Sequence, residues 1–324
     1  MIQRIITNKL PVFILIFIYS LVPVLASAHE VYVLENNEIS HDLSLPSLNL
    51  LDVLYSHGHQ FVWAFLIAIV AVICVLSFSV SRKLGSSLNP TLLKMKPFAR
   101  GILQVTLGLA LIASAYFGAI FGTELPILQI FGVYAHLVTM LLYVGGFSIL
   151  LGLLPRIGSL LIMIIYIWAI VNKGDTYILS YLTYFGEAFF ILLCGGYSVF
   201  KFNSVDVPAF IVALEKKKYF ILRICFSFSI MYAAIYAKFI HGELALNVVN
   251  KYQLTNYFPF DPLFVVLGAF LIEMTVALFY LIGFELRFAS ILFLIVLSMS
   301  LVFFGESIWP HIILIGTALG MLVH

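Results

Sequence analysis

The chain has 324 residues, of which 63% are hydrophobic and only 10% are charged, and its mean hydropathy is +1.13. These values lie outside the range of soluble globular domains and predict an all-α, polytopic membrane helical bundle with the lipid bilayer as its surroundings. The formal net charge of +2 is too small to indicate a nucleic-acid partner. The three cysteines lie in apolar runs without CxxC spacing, which argues against a disulfide framework and a thioredoxin-like motif.

Residues 1–28 have the order of a secretory signal peptide. Arg4 and Lys9 precede an apolar core, and the small residues Ala26-Ser-Ala28 follow it. Cleavage is therefore expected after Ala28. An uncleaved first helix is the alternative, and it would leave the topology of the rest of the chain unchanged.

Residues 29–60 are polar and acidic, and they are too few to form a domain with its own core. They are predicted to be a short segment on the outer side, periplasmic or extracellular. The charge-free run 61–81 is long enough for one extra transmembrane helix. Basic residues follow it, which places its far end at the cytoplasmic side.

Eight further apolar runs predict two tandem four-helix units, 97–200 and 219–324, joined by the basic cytoplasmic linker 201–218. The mature chain would then have about nine transmembrane helices. Twelve of the fifteen Lys and Arg residues beyond the leader fall on the cytoplasmic side of this topology, as the positive-inside rule requires. The prediction is a multi-pass protein of the plasma (inner) membrane with residues 29–60 outside and the C-terminus cytoplasmic.

The two units also show a weak internal repeat. Arg100 and Arg223 open them 123 positions apart, and Glu187 falls opposite His311 at an offset of 124. Because each unit has an even number of helices, both enter the membrane from the same side and the repeat is parallel. The first unit is the degenerate copy, since it has no ionisable residues where the second unit has a lysine and a glutamate.

Those two residues, Lys238 and Glu273, are the leading site candidates of the second unit. Glu273 lies near the middle of an apolar run, where an unpaired charge costs several kcal/mol, and Lys238 lies near the outer end of the neighbouring helix. With His311 as a group that titrates near neutral pH, they could hold a quinone head group or pass protons. A structural ion pair, a lysine that reaches outward to the membrane surface, and an interfacial histidine are the alternatives.

Three histidines in or near the outer segment are candidate metal ligands: His29, His57 and His59. After cleavage, His29 would offer its amine and imidazole together, which is a favourable pair for copper. Their spacing matches no recognised metal motif, so we expect solvated loop histidines and no metal cofactor.

Short motifs in the second unit carry a family resemblance. They are Leu222-Arg-Ile224, Ala237-Lys-Phe239, Ile272-Glu-Met274, Gly283 with Arg287, and Pro310-His-Ile312. On these residues the stretch 219–324 resembles the DoxX family of small four-helix membrane proteins, with a weaker resemblance at about 97–200. The resemblance implies a role in membrane-linked redox processes, because a related subunit belongs to a thiosulfate:quinone oxidoreductase.

The resulting functional prediction is a redox-associated membrane subunit that interacts with quinone. If it takes part in catalysis, it would be as a subunit of a quinone-linked oxidoreductase, with a membrane or periplasmic redox protein as partner. Two other classes stay open from the sequence: a small-molecule or ion carrier, and an assembly partner of a membrane complex without chemistry of its own.

Overall fold

The computed structural model describes residue 34, residues 36–46, 48, 55–56, 58–60, 62, 90–173, 176–195, 197, 214–305 and 307–324. Within these residues the regular structure is helical, and seven helices are long and apolar enough to cross a membrane. A shorter apolar helix, Trp309–Val323, makes an eighth. The prediction of an all-α polytopic bundle is thus confirmed. The predicted leader, all but one residue of the extra helix 61–81, and most of the linker 201–218 lie outside the described residues.

The helices of the first half follow one another with short connections. They are α1 (Asn36–Ser44), α2 (Ala99–Phe117), α3 (Ile127–Phe131), α4 (Ala135–Leu150), α5 (Pro155–Lys173) and α6 (Leu182–Cys194). Short 3-10 segments precede three of them, at Lys96–Phe98, Gly132–Tyr134 and Thr176–Tyr181. The four spanning helices here are α2, α4, α5 and α6, the last extended by its 3-10 segment.

The second half repeats this plan. It contains α7 (Lys218–Ala234), which continues as a π-helix (Ile235–Ile240), then α8 (Gly242–Lys251), α9 (Pro262–Ile282), α10 (Leu286–Phe304) and α11 (Ile312–Val323), with a 3-10 turn at Trp309–His311. The helix α8 lies outside the spanning set and packs on both α1 and α9. A salt bridge of 2.8 Å joins Lys251 at its end to Glu38 of α1.

The two halves meet along a reciprocal interface, which we call the seam. The first helix of the first half, α2, packs on the last helix of the second half, α11, and α7 packs in the same way on α6. Glycines allow the close approach: a Cβ added at Gly186 would lie 2.6 Å from Cys225 Cβ, and one added at Gly316 would collide with Thr106. The bundle is therefore held together at its centre by the first and last helix of each half.

Arg223 lies near the start of α7, the helix that opens the second half. Its guanidinium packs against Gly283, which ends α9 with a φ of +81°, so that a Cβ at this position would collide with the arginine. Glycine is the residue that accepts this left-handed conformation at no steric cost. Arg223 thus ties the start of α7 to the end of α9.

The packing of α9 on α10 is concentrated at one end. There Tyr280 donates a 2.8 Å hydrogen bond to Ser290, and Ala289 and Ser290 are the only buried residues among those described in α10. At the opposite end, aromatic rings of the segment after α8 contact α10, with Tyr252 against Phe304 and Tyr257 against Phe303. The middle of this helix pair is left largely open to the hydrocarbon.

Candidate functional site

An ion pair joins the two ionisable residues that the sequence singled out in the second half. The ammonium of Lys238 lies 3.0 Å from Glu273 Oε2. The lysine is only 3% exposed, while the side chain of the glutamate is 33% exposed. The aliphatic stem of Lys238 therefore runs inward to the carboxylate, and the alternative in which it reaches outward to the membrane surface is wrong.

The local backbone explains how a lysine near the end of its helix reaches this position. Residues Ile235–Ile240 form a π-helix, in which the His241 N–H donates to the carbonyl of Tyr236 at 3.0 Å, five residues back. A π-helix places an additional residue in its turn and changes the direction of the side chains it carries, and such turns are frequent at functional sites. Lys238 sits inside this turn and faces α9.

Glu273 lies on the open side of the second half. It is near the middle of α9, so at about 1.5 Å per residue it lies close to the mid-depth of a bilayer. Its neighbours Leu271, Ile272 and Thr275 are exposed, and the facing rings of Phe239 and Phe270 stack at 5.8 Å. The site is thus a buried cation and a partly exposed carboxylate within an apolar surface that lipid-soluble molecules can reach.

The third predicted site residue, His311, belongs to a different contact region. It ends the 3-10 turn Trp309–His311, which packs on α2 of the first half, and it is 1% exposed. Its Nδ1 lies 3.1 Å from the carbonyl oxygen of Ser307, and Trp309 stacks on Phe117 with ring centroids 5.1 Å apart. The structure brings Lys238 and Glu273 into direct contact and places His311 in the seam.

Glu187 is a buried acid for which the sequence did not predict a role. It is fully buried in α6, its Oε1 accepts a 2.6 Å hydrogen bond from Thr317 of α11, and Thr106 of α2 is its next polar neighbour. Within the described part of the chain its Oε2 has no hydrogen-bond partner. Since a buried, unpaired carboxylate is costly in a hydrocarbon interior, we expect the neutral acid.

The helix starts also correct the predicted repeat. Leu182 and Ile312 begin the last helix of each half 130 positions apart, so Glu187 corresponds to Thr317 and not to His311. The signal is visible in the sequence, because Gly186-Glu-Ala188 and Gly316-Thr-Ala318 share this offset. The hydrogen bond across the seam thus joins two equivalent positions.

His29 and His57 lie outside the described residues, and His59 is exposed. Among the residues that the structure does describe, no group of three or more His, Cys, Asp or Glu side chains is arranged to hold a metal ion.

Comparisons of the chain with models of known protein families, with curated proteins and with solved structures give no match.

Proposed function

We propose that this integral membrane protein is a redox-associated subunit that binds a quinone at the Lys238–Glu273 ion pair. The observation that supports this proposal is the ion pair itself: a buried ammonium lies 3.0 Å from a carboxylate that is one third exposed within an apolar, lipid-facing surface. The resemblance of 219–324 to the DoxX family supports the redox assignment.

The chemistry of the pair suits a quinone head group. Lys238 can donate a hydrogen bond to a quinone carbonyl oxygen, and Glu273 can accept one from the hydroxyl of the reduced form. The open middle of the α9–α10 pair would admit the head group from the bilayer, and the isoprenoid tail would stay among the exposed apolar side chains of α10. Electrons would come from a partner redox protein, and the ion pair would exchange protons with the bound quinone.

The experiment is a binding titration of a short-chain quinone analogue in its reduced, hydroquinone form with the purified protein in lipid nanodiscs. Loss of a hydrogen bond to a charged group is worth about 1.5–3 kcal/mol, so Glu273→Gln should weaken binding roughly tenfold to a hundredfold. The matched control is the ion pair between Glu38 of α1 and Lys251 of α8, which is 2.8 Å long and includes neither Lys238 nor Glu273. Glu38→Gln should leave the affinity unchanged.

Removal of one charge can also destabilise a buried pair, because it leaves the partner uncompensated. The double variant Lys238→Met/Glu273→Gln removes both charges and is the second arm. If the double variant accumulates normally and binds the quinone analogue as tightly as the parent, the ion pair is structural and the proposal is wrong. The same conclusion follows if the parent protein shows no saturable binding.

A further inference from the structure

A basic cavity of about 320 Å³ opens at the end of the seam where α2 and α7 begin and α6 and α11 end. Its walls come from both halves and include Lys96, Arg100, Phe190, Lys218, Tyr219 and His324. No acidic residue lines it in the described part of the chain. The cavity is remote from the Lys238–Glu273 pair, because it adjoins the start of α7 whereas Lys238 lies beyond the end of that helix.

Two of the cations are held in place by their surroundings. The guanidinium of Arg100 lies 4.4 Å from the centre of the Tyr197 ring, and its Nη1 donates a 3.3 Å hydrogen bond to the carbonyl of Cys194. The ammonium of Lys218 lies 5.8 Å from the centre of the Phe190 ring and 3.0 Å from Glu215. Such fixed donors lose little conformational freedom when an anion binds.

The charges at the cavity are incompletely balanced. Glu215 compensates Lys218, whereas Lys96 and Arg100 add positive charge to the walls. Burial is the largest cause, and with the positive charges of Lys96, Lys218 and Arg287 it lowers the pKa of His324 to about 4. The imidazole of His324 is therefore neutral near pH 7, and the nearby cations favour that form.

His324 also offers a polar atom to a ligand. Its ring stacks on that of Tyr219, with centroids 3.4 Å apart and planes 7° from parallel. Its Nδ1 is buried and has no hydrogen-bond partner among the residues that the structure describes. A neutral imidazole with one unsatisfied nitrogen can donate to an anionic oxygen in the tautomer that carries the proton there.

We propose that the basic cavity binds a phosphate group, carried either by an anionic phospholipid or by a soluble phosphate compound. Guanidinium and ammonium groups are the usual protein donors to phosphate oxygens. The aromatic walls would pack against the organic part of the ligand. Because the cations lie at or just before the starts of α2 and α7, a bound phosphate would join the two halves across the seam.

A positive rim is common at one end of membrane helices, so the test must separate the cavity from the general charge of that surface. The cavity variant is Lys96→Gln/Arg100→Gln. The matched control, Lys216→Gln/Lys217→Gln, removes the same charge from two exposed lysines that do not line the cavity. Native mass spectrometry of the purified proteins would count bound phosphatidylglycerol against phosphatidylcholine, and a parallel titration would use inorganic phosphate.

The parent and the control should retain the anionic lipid, and the cavity variant should bind it at least tenfold more weakly, since each lost contact involves a charged donor. If inorganic phosphate at millimolar concentration displaces the lipid, or binds in its place with the same dependence on Lys96 and Arg100, the source is a soluble phosphate. Equal losses in the cavity variant and the control would overturn the proposal, as would a parent protein that neither prefers the anionic lipid nor binds phosphate.

A measurement on the parent protein covers the case in which the cavity variant does not fold. Binding of an anion should raise the pKa of His324 from about 4, because it offsets the surrounding positive charges. The His324 resonance in a nitrogen NMR titration, assigned by its loss in His324→Gln, reports this shift. A His324 titration that is unchanged by either phosphate source would also overturn the proposal.

Discussion

Gly186 is the position at which the seam should be most sensitive to a single methyl group. A Cβ there would lie 2.6 Å from Cys225 Cβ and 3.3 Å from its Sγ. The nearer atom is fixed to the backbone of α7, so the clash can be relieved only if the two helices move apart. Overpacking of this kind costs about 1–3 kcal/mol.

The intrinsic preference of helices for alanine acts in the opposite direction, by about 0.8–1.0 kcal/mol. The variant Gly268→Ala in α9 measures this helix preference alone, because a Cβ added there has no heavy atom within 4 Å. Gly268→Ala should therefore be neutral or slightly stabilising. Gly186→Ala should be less stable than Gly268→Ala by about 1–3 kcal/mol.

The assay is reversible unfolding of the purified protein by SDS in mixed micelles, followed by circular dichroism. The double variant Gly186→Ala/Cys225→Gly should recover part of the stability lost in Gly186→Ala. The double variant Gly186→Ala/Cys225→Ala should not, since alanine keeps the Cβ that makes the contact. Equal stabilities of Gly186→Ala and Gly268→Ala would refute the close approach of α6 and α7.

Three further predictions follow from the same structure. Thr317→Val should lower the unfolding free energy by about 0.6–1.7 kcal/mol through loss of the hydrogen bond to Glu187, and Thr317→Ser should retain it; comparable losses in both would contradict this. The pKa of His324 is lowered from 6.5 to about 4 in the folded protein, so its contribution to the free energy of unfolding should be fully present above about pH 6.5 and decrease as the pH falls towards 4. In SDS unfolding measured across this pH range, His324→Gln should lack this pH-dependent decrease. A single cysteine at Lys217, in a background without the native cysteines, should react with an impermeant thiol reagent only from the cytoplasmic side; labelling from outside would reverse the predicted topology.

The sequence was sufficient for the class of fold, because long apolar runs between polar connections have few alternatives in a membrane. It also selected Lys238 and Glu273, since an ionisable side chain within such a run is conspicuous. The π-helix that turns Lys238 towards α9 could not be read from local residue preferences. It follows from packing between helices.

The seam was harder to predict for a similar reason. Glu187 was aligned with His311 because their offset of 124 is close to the offset of 123 between Arg100 and Arg223. The shared Gly-x-Ala pattern at Gly186 and Gly316 gives the correct offset, but its meaning depends on which helices touch. The basic cavity is lined by residues from four helix ends. The hydrophobic periodicity of each helix does not show which helix ends lie together, so the sequence did not predict the cavity.

The hydrogen bond from Thr317 to Glu187 joins two unlike residues at equivalent positions, which a symmetric dimer of single units could not do. In a symmetric homodimer, a residue beside the two-fold axis meets its own copy. Identical units would thus set carboxyl against carboxyl, or hydroxyl against hydroxyl, at this position. Covalent fusion lets the two equivalent positions diverge, so that one helix supplies a donor and the other an acceptor. A chain built from two copies of the first unit would lose this complementarity at the centre of its own interface.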